Sequence, residues 1–310
     1  MPRAPLRLVV ASVLVLLLLG APSVGATEAA EVQARLDDDL AAGRPIVVHV
    51  VVALCDNASQ GIVPVPAQLG DGTSPRTNLY WGALYGVRTH LTRTAGWKRL
   101  EVAQPRLSAV LERIALRTEV RRKGVSVPVI LVADAWDGRE IKRATMRFLE
   151  LTAGQGEETV ELKDGETTQR VAIGGAAQLV AYIGHDGLME FRVGTPRRRA
   201  EAPARAAVVL ACVSEHYFGP HLTKTGAHPL LMTNGLMAPE AYTLDAAIRA
   251  WVAADPERTV HEAAAQAYHR YQKCGVSAAR KLFWSPGQSV GRGGRGGRGA
   301  RAEAAAPSRR

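Results

Sequence analysis

The chain has 310 residues, of which 47% are hydrophobic and 22% charged, as expected for a globular protein with a large buried core. Its formal net charge of +10 comes mainly from the two ends, because the first segment holds two arginines and the tail from Gly291 holds six arginines and one glutamate. The remaining 31 basic and 28 acidic residues exclude the strongly basic surface of a protein that binds specific nucleic acid.

Residues 1–26 have the three parts of a secretory signal peptide. Arg3 and Arg7 form a positive start, residues 8–19 form an apolar run, and small residues follow up to Ala26. The apolar run is too short to span a membrane comfortably, so we expect cleavage rather than a permanent N-terminal anchor. The sequence therefore predicts an exported protein, periplasmic or extracellular.

The mature chain is expected to form a single α/β domain over residues 27–285. After a short helix or loose lead-in at 27–45, apolar runs predict five strands, at 46–54, 125–133, 179–183, 206–211 and 229–233. Helices are predicted at 77–92, 105–123, 139–151 and 239–251, and further helices from Thr259 and from Ser277. This alternation predicts a mostly parallel central sheet with helices on both faces, a three-layer sandwich.

Two further segments are expected to lie apart from that sheet. Residues 157–175 read as a hairpin excursion with Asp164-Gly165 in its turn. Residues 286–310 are rich in Gly and Arg and cannot bury a core, so a disordered tail is predicted. Such a tail suits nonspecific contact with an anionic polymer or a cell surface, and a dispensable tail is the alternative.

Several residues capable of chemistry stand at the ends of the predicted strands. Right-handed crossovers place these ends on one edge of the sheet, where α/β proteins bind their ligands. A histidine and a cysteine at neighbouring strand ends are a candidate base and nucleophile. The residues expected along this edge are Cys55, Asp56, Asp134, Asp137, His185, Cys212 and Asn234.

Two short blocks resemble the caspase–legumain–gingipain group of cysteine peptidases. Residues 182–187 (YIGHDG) are similar to the His-Gly block of that group, and residues 210–214 (LACVS) to its Ala-Cys block. The resemblance implies a caspase-like sandwich with His185 as general acid and base and Cys212 as nucleophile. It also implies an oxyanion hole from the backbone amides of Gly187 and Cys212. The family has Gly directly after His, whereas here Asp186 intervenes and either displaces that amide or orients the imidazole.

Other polar residues are candidates for binding a substrate or a metal. The substrate-binding candidates are Asp56, Arg76, Asp134, Asp186, His216 and Asn234. For Arg76 a solvated loop residue is the alternative, and for Asp134 and Asp137 a turn or cap. The spacing of His216, His221 and His228 matches no compact metal-ligand pattern, so no metal and no cofactor is predicted.

Two functions from different classes follow. The first is an exported cysteine peptidase-like hydrolase acting on a peptide or protein. The second is a non-catalytic exported binding protein in which Cys212 is structural or bonded to Cys55. An odd count of three cysteines leaves at least one thiol unpaired in either case. Neither hypothesis predicts an oligomeric state.

Overall fold

The computed structural model of the chain describes residues 24–93, 96–105 and 107–286. The predicted tail from residue 287 and the predicted signal segment up to residue 23 lie outside the described residues. Within them the protein is an α/β structure with one ten-stranded sheet and seven α-helices. No helix in this described part is long and apolar enough to cross a membrane.

Strands form at all five predicted positions, and five further strands join them in the described part of the chain. The strands are β1 (Ile46–Ala53), β2 (Lys98–Val102), β3 (Val110–Arg122), β4 (Val125–Trp136), β5 (Glu158–Asp164), β6 (Thr167–Ile173), β7 (Leu179–Ile183), β8 (Ala206–Leu210), β9 (His228–Thr233) and β10 (Phe283–Trp284). The helices are α1 (Val24–Ala41), α2 (Val87–Arg93), α3 (Ile141–Thr152), α4 (Ser214–Thr225), α5 (Ala241–Val252), α6 (Glu257–Gln272) and α7 (Val276–Leu282).

The strand order in the sheet is β10-β9-β8-β7-β1-β4-β3-β2-β5-β6. The central five strands, from β9 to β4, run parallel, and the outer strands pair antiparallel to their neighbours. The predicted mostly parallel centre is thus confirmed, within a sheet that is mixed towards its edges.

Helices cover both faces of the sheet, which explains why its central strands are apolar throughout. In β1, Val48 and Val50 pack towards the face covered by α1, α2, α5 and α6. Val47 and Val51 pack towards the opposite face, covered by α3 and α4. Every residue of β1 is buried, as expected for a strand enclosed on both sides.

Residues 105–123, predicted as a helix, instead contain the long strand β3. Its apolar residues satisfy a period of two as well as a helical period, since Ile114, Leu116 and Val120 all face one core. Lys123 and Gly124 both have positive φ, and this tight turn lets β3 pair with β4 along almost its whole length. The hydrogen bonds between β3 and β4 therefore outweigh the helical pattern of the segment.

Three other predictions need correction. Only the end of the predicted 77–92 helix is helical, as α2. Before α2 the chain turns tightly, and a Cβ on Gly86 would lie 2.5 Å from the Trp81 backbone. The 157–175 hairpin forms, but it extends the main sheet through pairing of β5 with β2, which was not predicted. Helix α4 was also not predicted, and α6 begins at Glu257 rather than at Thr259.

Candidate active site

The direction of the strand connections changes at β1 and β7, whose carboxyl ends lie side by side. The chain passes from β1 to β4 on one side and later to β7 on the other, so connections leave β1 in opposite directions. In doubly wound sheets this switch point is where ligands bind. Cys55 and Asp56 follow β1 there, His185 follows β7, and Cys212 follows the next strand, β8.

His185 and Cys212 occupy equivalent positions on neighbouring strands. β7 and β8 pair in parallel with Ile183 opposite Leu210, and each of the two candidate residues follows that pair by two positions. Strands in a sheet lie about 4.8 Å apart, so the register brings the two backbone segments side by side. No hydrogen bond between the two side chains is formed within the described part of the chain.

Cys212 lies in a sharp turn between β8 and α4. Val213 has φ 52° and ψ 32°, a left-handed conformation that is costly for a β-branched residue. Ser214 holds this turn, because its Oγ donates to the carbonyl oxygen of Val209 at 2.9 Å and accepts from the N–H of Thr233 at 3.0 Å. Cys212 consequently precedes the amino end of a 12-residue helix, where the helix dipole favours a thiolate.

The surroundings of the Cys212 thiol nevertheless disfavour its ionisation. Its Sγ lies 3.6 Å from the carbonyl oxygen of Met237, and the N–H of Met237 donates to it at 3.4 Å. Burial raises the pKa of Cys212, and the nearby carboxyl of Asp186 raises it further. The protonated thiol is therefore the favoured form in this conformation.

The imidazole of His185 is oriented by Glu190, a residue that the sequence patterns did not single out. Nε2 of His185 lies 2.6 Å from Oε1 of Glu190, and the same oxygen accepts the N–H of Gly61 at 2.7 Å. Tyr182 donates its hydroxyl to the carbonyl oxygen of His185 at 2.9 Å. These contacts fix the ring and leave Nδ1 as the nitrogen for proton exchange.

Asp186 and Gly187 form a tight turn after His185. Asp186 is fully buried; its Oδ1 accepts the N–H of Leu188 at 3.0 Å, while Oδ2 has no partner among the described residues. Burial raises the pKa of Asp186 to about 7. Gly187 donates its N–H to the carbonyl oxygen of His185 at 3.1 Å, so this amide is engaged within the turn.

The cysteines are all free thiols, so the Cys55–Cys212 disulfide is not formed in this structure. Cys55 is fully buried, beside Tyr80. Burial raises the pKa of the Cys55 thiol to about 11, which makes it a poor nucleophile.

Among the other predicted site residues, Asp56 and Asp137 bind neighbours within their own loops. Asp56 is buried and accepts the N–H groups of Ala58 and Ser59. Asp137 pairs with the neighbouring Arg139. Three of the candidates, in contrast, are exposed: Arg76, His216 and Asn234.

Asp134 lies inside β4 and belongs to a buried ionic network instead of the open edge. Nε and Nη2 of Arg113 donate to its two carboxylate oxygens at 2.6 and 2.8 Å, and Nε2 of His49 lies 3.1 Å from Oδ2. Arg113 also binds Glu158. Although burial acts to raise the pKa of Asp134, these partners outweigh it and hold the pKa at about 2. Arg113 lies within the segment predicted as a helix, and pairing of β3 with β4 brings it beside Asp134 in the core.

The chain was compared with family models, curated proteins and solved structures. No family model, no curated protein and no solved structure matches the chain. In addition, no group of three or more His, Cys, Asp or Glu side chains in the described part could hold a metal ion.

Proposed function

We propose that the chain is an exported cysteine peptidase-like hydrolase in which Cys212 attacks the carbonyl carbon of a peptide bond. The observation that carries the proposal is the equivalent placement of His185 and Cys212 beyond two paired parallel strands, beside the switch point of the sheet. The resemblance of both sequence blocks to caspase-, legumain- and gingipain-type peptidases agrees with this assignment.

The reaction assigns a role to each side chain. Nδ1 of His185 accepts the thiol proton of Cys212, and the thiolate sulfur bonds to the substrate carbonyl carbon. The imidazolium then returns the proton to the leaving amine as the C–N bond breaks, which leaves a thioester. Water, deprotonated by the same imidazole, hydrolyses the thioester and restores the thiol. Glu190 stabilises the imidazolium, as a carboxylate does in a catalytic triad.

Catalysis requires a local rearrangement from the described conformation. The Cys212 thiol must exchange its contact with Met237 for one with His185, and an N–H donor must turn towards the oxyanion. The Gly187 amide is a suitable donor once it leaves the carbonyl oxygen of His185. Substrate binding at this edge of the sheet would supply the free energy for this change.

The proposal is tested with an electrophilic peptide library, such as peptidyl acyloxymethyl ketones, and mass spectrometry of the labelled residue. We expect labelling of Cys212 that is abolished in Cys212→Ala and slowed at least about 100-fold in His185→Ala, the usual scale of general-base catalysis. The matched control is Cys274→Ala, which removes the exposed thiol and should leave Cys212 labelling unchanged. Equal labelling rates in wild type and His185→Ala would contradict the dyad.

A non-catalytic binding protein is the second candidate, favoured by the raised pKa of the Cys212 thiol and by its hydrogen bonds to Met237. It predicts saturable peptide binding at this edge of the sheet that survives Cys212→Ala, without turnover of any library member. Export is tested separately by N-terminal sequencing of the mature protein, for which we expect a first residue at or near position 27.

A further inference from the structure

The irregular segment that joins β9 to α5, residues 234–240, lies against the Cys212 thiol. Met237, in the middle of this segment, uses both of its backbone polar groups on the sulfur. Its N–H donates to Sγ at 3.4 Å, and its carbonyl oxygen accepts the S–H at an Sγ–O distance of 3.6 Å. The thiol proton is therefore directed at the backbone of this segment.

Backbone hydrogen bonds fix the two ends of the segment to other parts of the fold. Near its start, the carbonyl oxygen of Gly235 accepts the N–H of Val213 at 2.9 Å. Just after its end, the N–H of Ala241 donates to the carbonyl oxygen of Tyr85 at 2.9 Å. Residues 236–239, between these two anchors, are called the strap below.

Tyr268 on α6 holds the strap from a second side. Its hydroxyl oxygen accepts the N–H of Ala238 at 3.0 Å. The Tyr268 side chain is buried and its ring packs edge-on against Phe283, with the ring centroids 5.5 Å apart, so the hydroxyl has a fixed position. Within the described part of the chain, the Cys212 thiol and this hydroxyl are the two groups outside residues 234–240 that hydrogen-bond to the strap.

Packing holds the strap unevenly. Pro239 is buried and Met237 is half-buried, whereas Leu236 is 75% exposed. A short irregular segment with few external hydrogen bonds can open locally while the rest of the fold stays intact. Opening of the strap would break the two contacts at the Cys212 sulfur and the hydrogen bond to Tyr268.

We infer that the strap is an inhibitory device over Cys212, latched by the Tyr268 hydroxyl, and that it must open before the thiol reacts. Its regulatory meaning rests on the hydrolase proposed above, because a closed strap keeps the thiol proton from His185. The strap itself controls access to a thiol. It can therefore be tested with a reagent that requires no peptide cleavage.

The latch is tested by alkylating the full chain with iodoacetamide at fixed pH and measuring the rate at each cysteine by mass spectrometry. Tyr268→Phe leaves the N–H of Ala238 without its acceptor in the closed strap. We expect Cys212 to react about fivefold faster in this variant, the factor that corresponds to one hydrogen bond. The internal reference is the exposed Cys274, whose rate should not change. The matched control is Tyr271→Phe, an exposed tyrosine of the same helix, which should leave the Cys212 rate unchanged.

Hydrogen exchange on the wild-type chain keeps the test decisive if Tyr268→Phe does not fold. The amide of Ala238 should exchange through local opening, at a rate that low concentrations of urea do not change. The amides of β8, a strand paired on both sides, should exchange more slowly and through global unfolding. Ala238 exchange as slow and as urea-dependent as that of β8 would overturn the strap. Equal Cys212 alkylation in wild type and a folded Tyr268→Phe would overturn it as well.

The outcomes also separate the strap from the hydrolase. Iodoacetamide reacts with any accessible thiolate, so the fivefold effect of Tyr268→Phe should persist in a His185→Ala background. Faster alkylation of Cys212 in Tyr268→Phe supports the strap even where no peptide is cleaved. Peptide cleavage by the wild type, combined with unchanged alkylation in Tyr268→Phe, supports the hydrolase and overturns the strap.

Discussion

Asp186 offers a test of the environment beside Cys212. The substitution Asp186→Asn retains the side-chain shape and lets Oδ1 continue to accept the N–H of Leu188. It removes the ability to ionise and places an amide NH2 where the protonated carboxyl has its hydroxyl, at a position without a partner among the described residues. The folded protein keeps this buried carboxyl protonated up to a pKa of about 7, against an ordinary value of 3.8.

The expected effect depends on pH, with a definite sign. Below the ordinary pKa the carboxyl is protonated in both folded and unfolded chains, and the substitution should change the free energy of unfolding little. As pH rises from 3.8 to about 7 the unfolded chain ionises first, so the wild-type free energy of unfolding falls. At about 1.4 kcal/mol per pKa unit, the full penalty is about 4 kcal/mol. Above pH 7 Asp186→Asn should therefore be more stable than wild type by up to this amount.

Urea unfolding followed by tryptophan fluorescence at several pH values between 4 and 8 measures this difference. The matched control is Asp38→Asn on α1, where the carboxylate is exposed and the substitution should change stability by about 0.5 kcal/mol or less. A difference between Asp186→Asn and wild type that stays constant from pH 4 to 8 would refute the argument. The same variant should also label faster at Cys212 above pH 7, because Asp186 raises the pKa of that thiol.

Two further substitutions test the parts of the fold that position the site. Asp134→Asn should lower the free energy of unfolding at pH 7 by about 3–5 kcal/mol, since it leaves the buried Arg113 poorly paired. Wild type should also lose about 2 kcal/mol as pH falls from 4 to 2 through the low pKa of Asp134, a loss that the variant lacks; parallel acid profiles would count against this. Ser214→Ala should cost about 1–3 kcal/mol in urea unfolding by leaving the Thr233 N–H unpaired, whereas the exposed Ser126→Ala should have little effect.

The strongest sequence patterns belong to strands that are buried on both faces. The runs that became β1, β4, β7, β8 and β9 are apolar at nearly every position, and few other structures suit short segments of this kind. Their order along the chain was enough to predict a parallel α/β core and to place His185 and Cys212 at its edge.

Partially buried segments were harder to interpret, because their patterns fit more than one structure. The apolar residues of β3 recur at both helical and strand spacing, and only pairing with β4 decides between the two. Helix α4 is weakly amphipathic in sequence, so it was missed although it begins two residues after Cys212.

Local patterns thus determined the five central strands and placed the two candidate residues, His185 and Cys212, at the ends of two of them. Tertiary structure decided what surrounds those residues: Glu190 on the imidazole, Met237 on the thiol, and the burial that keeps Asp186 protonated. It also buried the guanidinium group of Arg205, which in sequence is one arginine among many. The physical reason is that burial, hydrogen-bond partners and pKa values arise from contacts between distant segments, which no local spacing encodes.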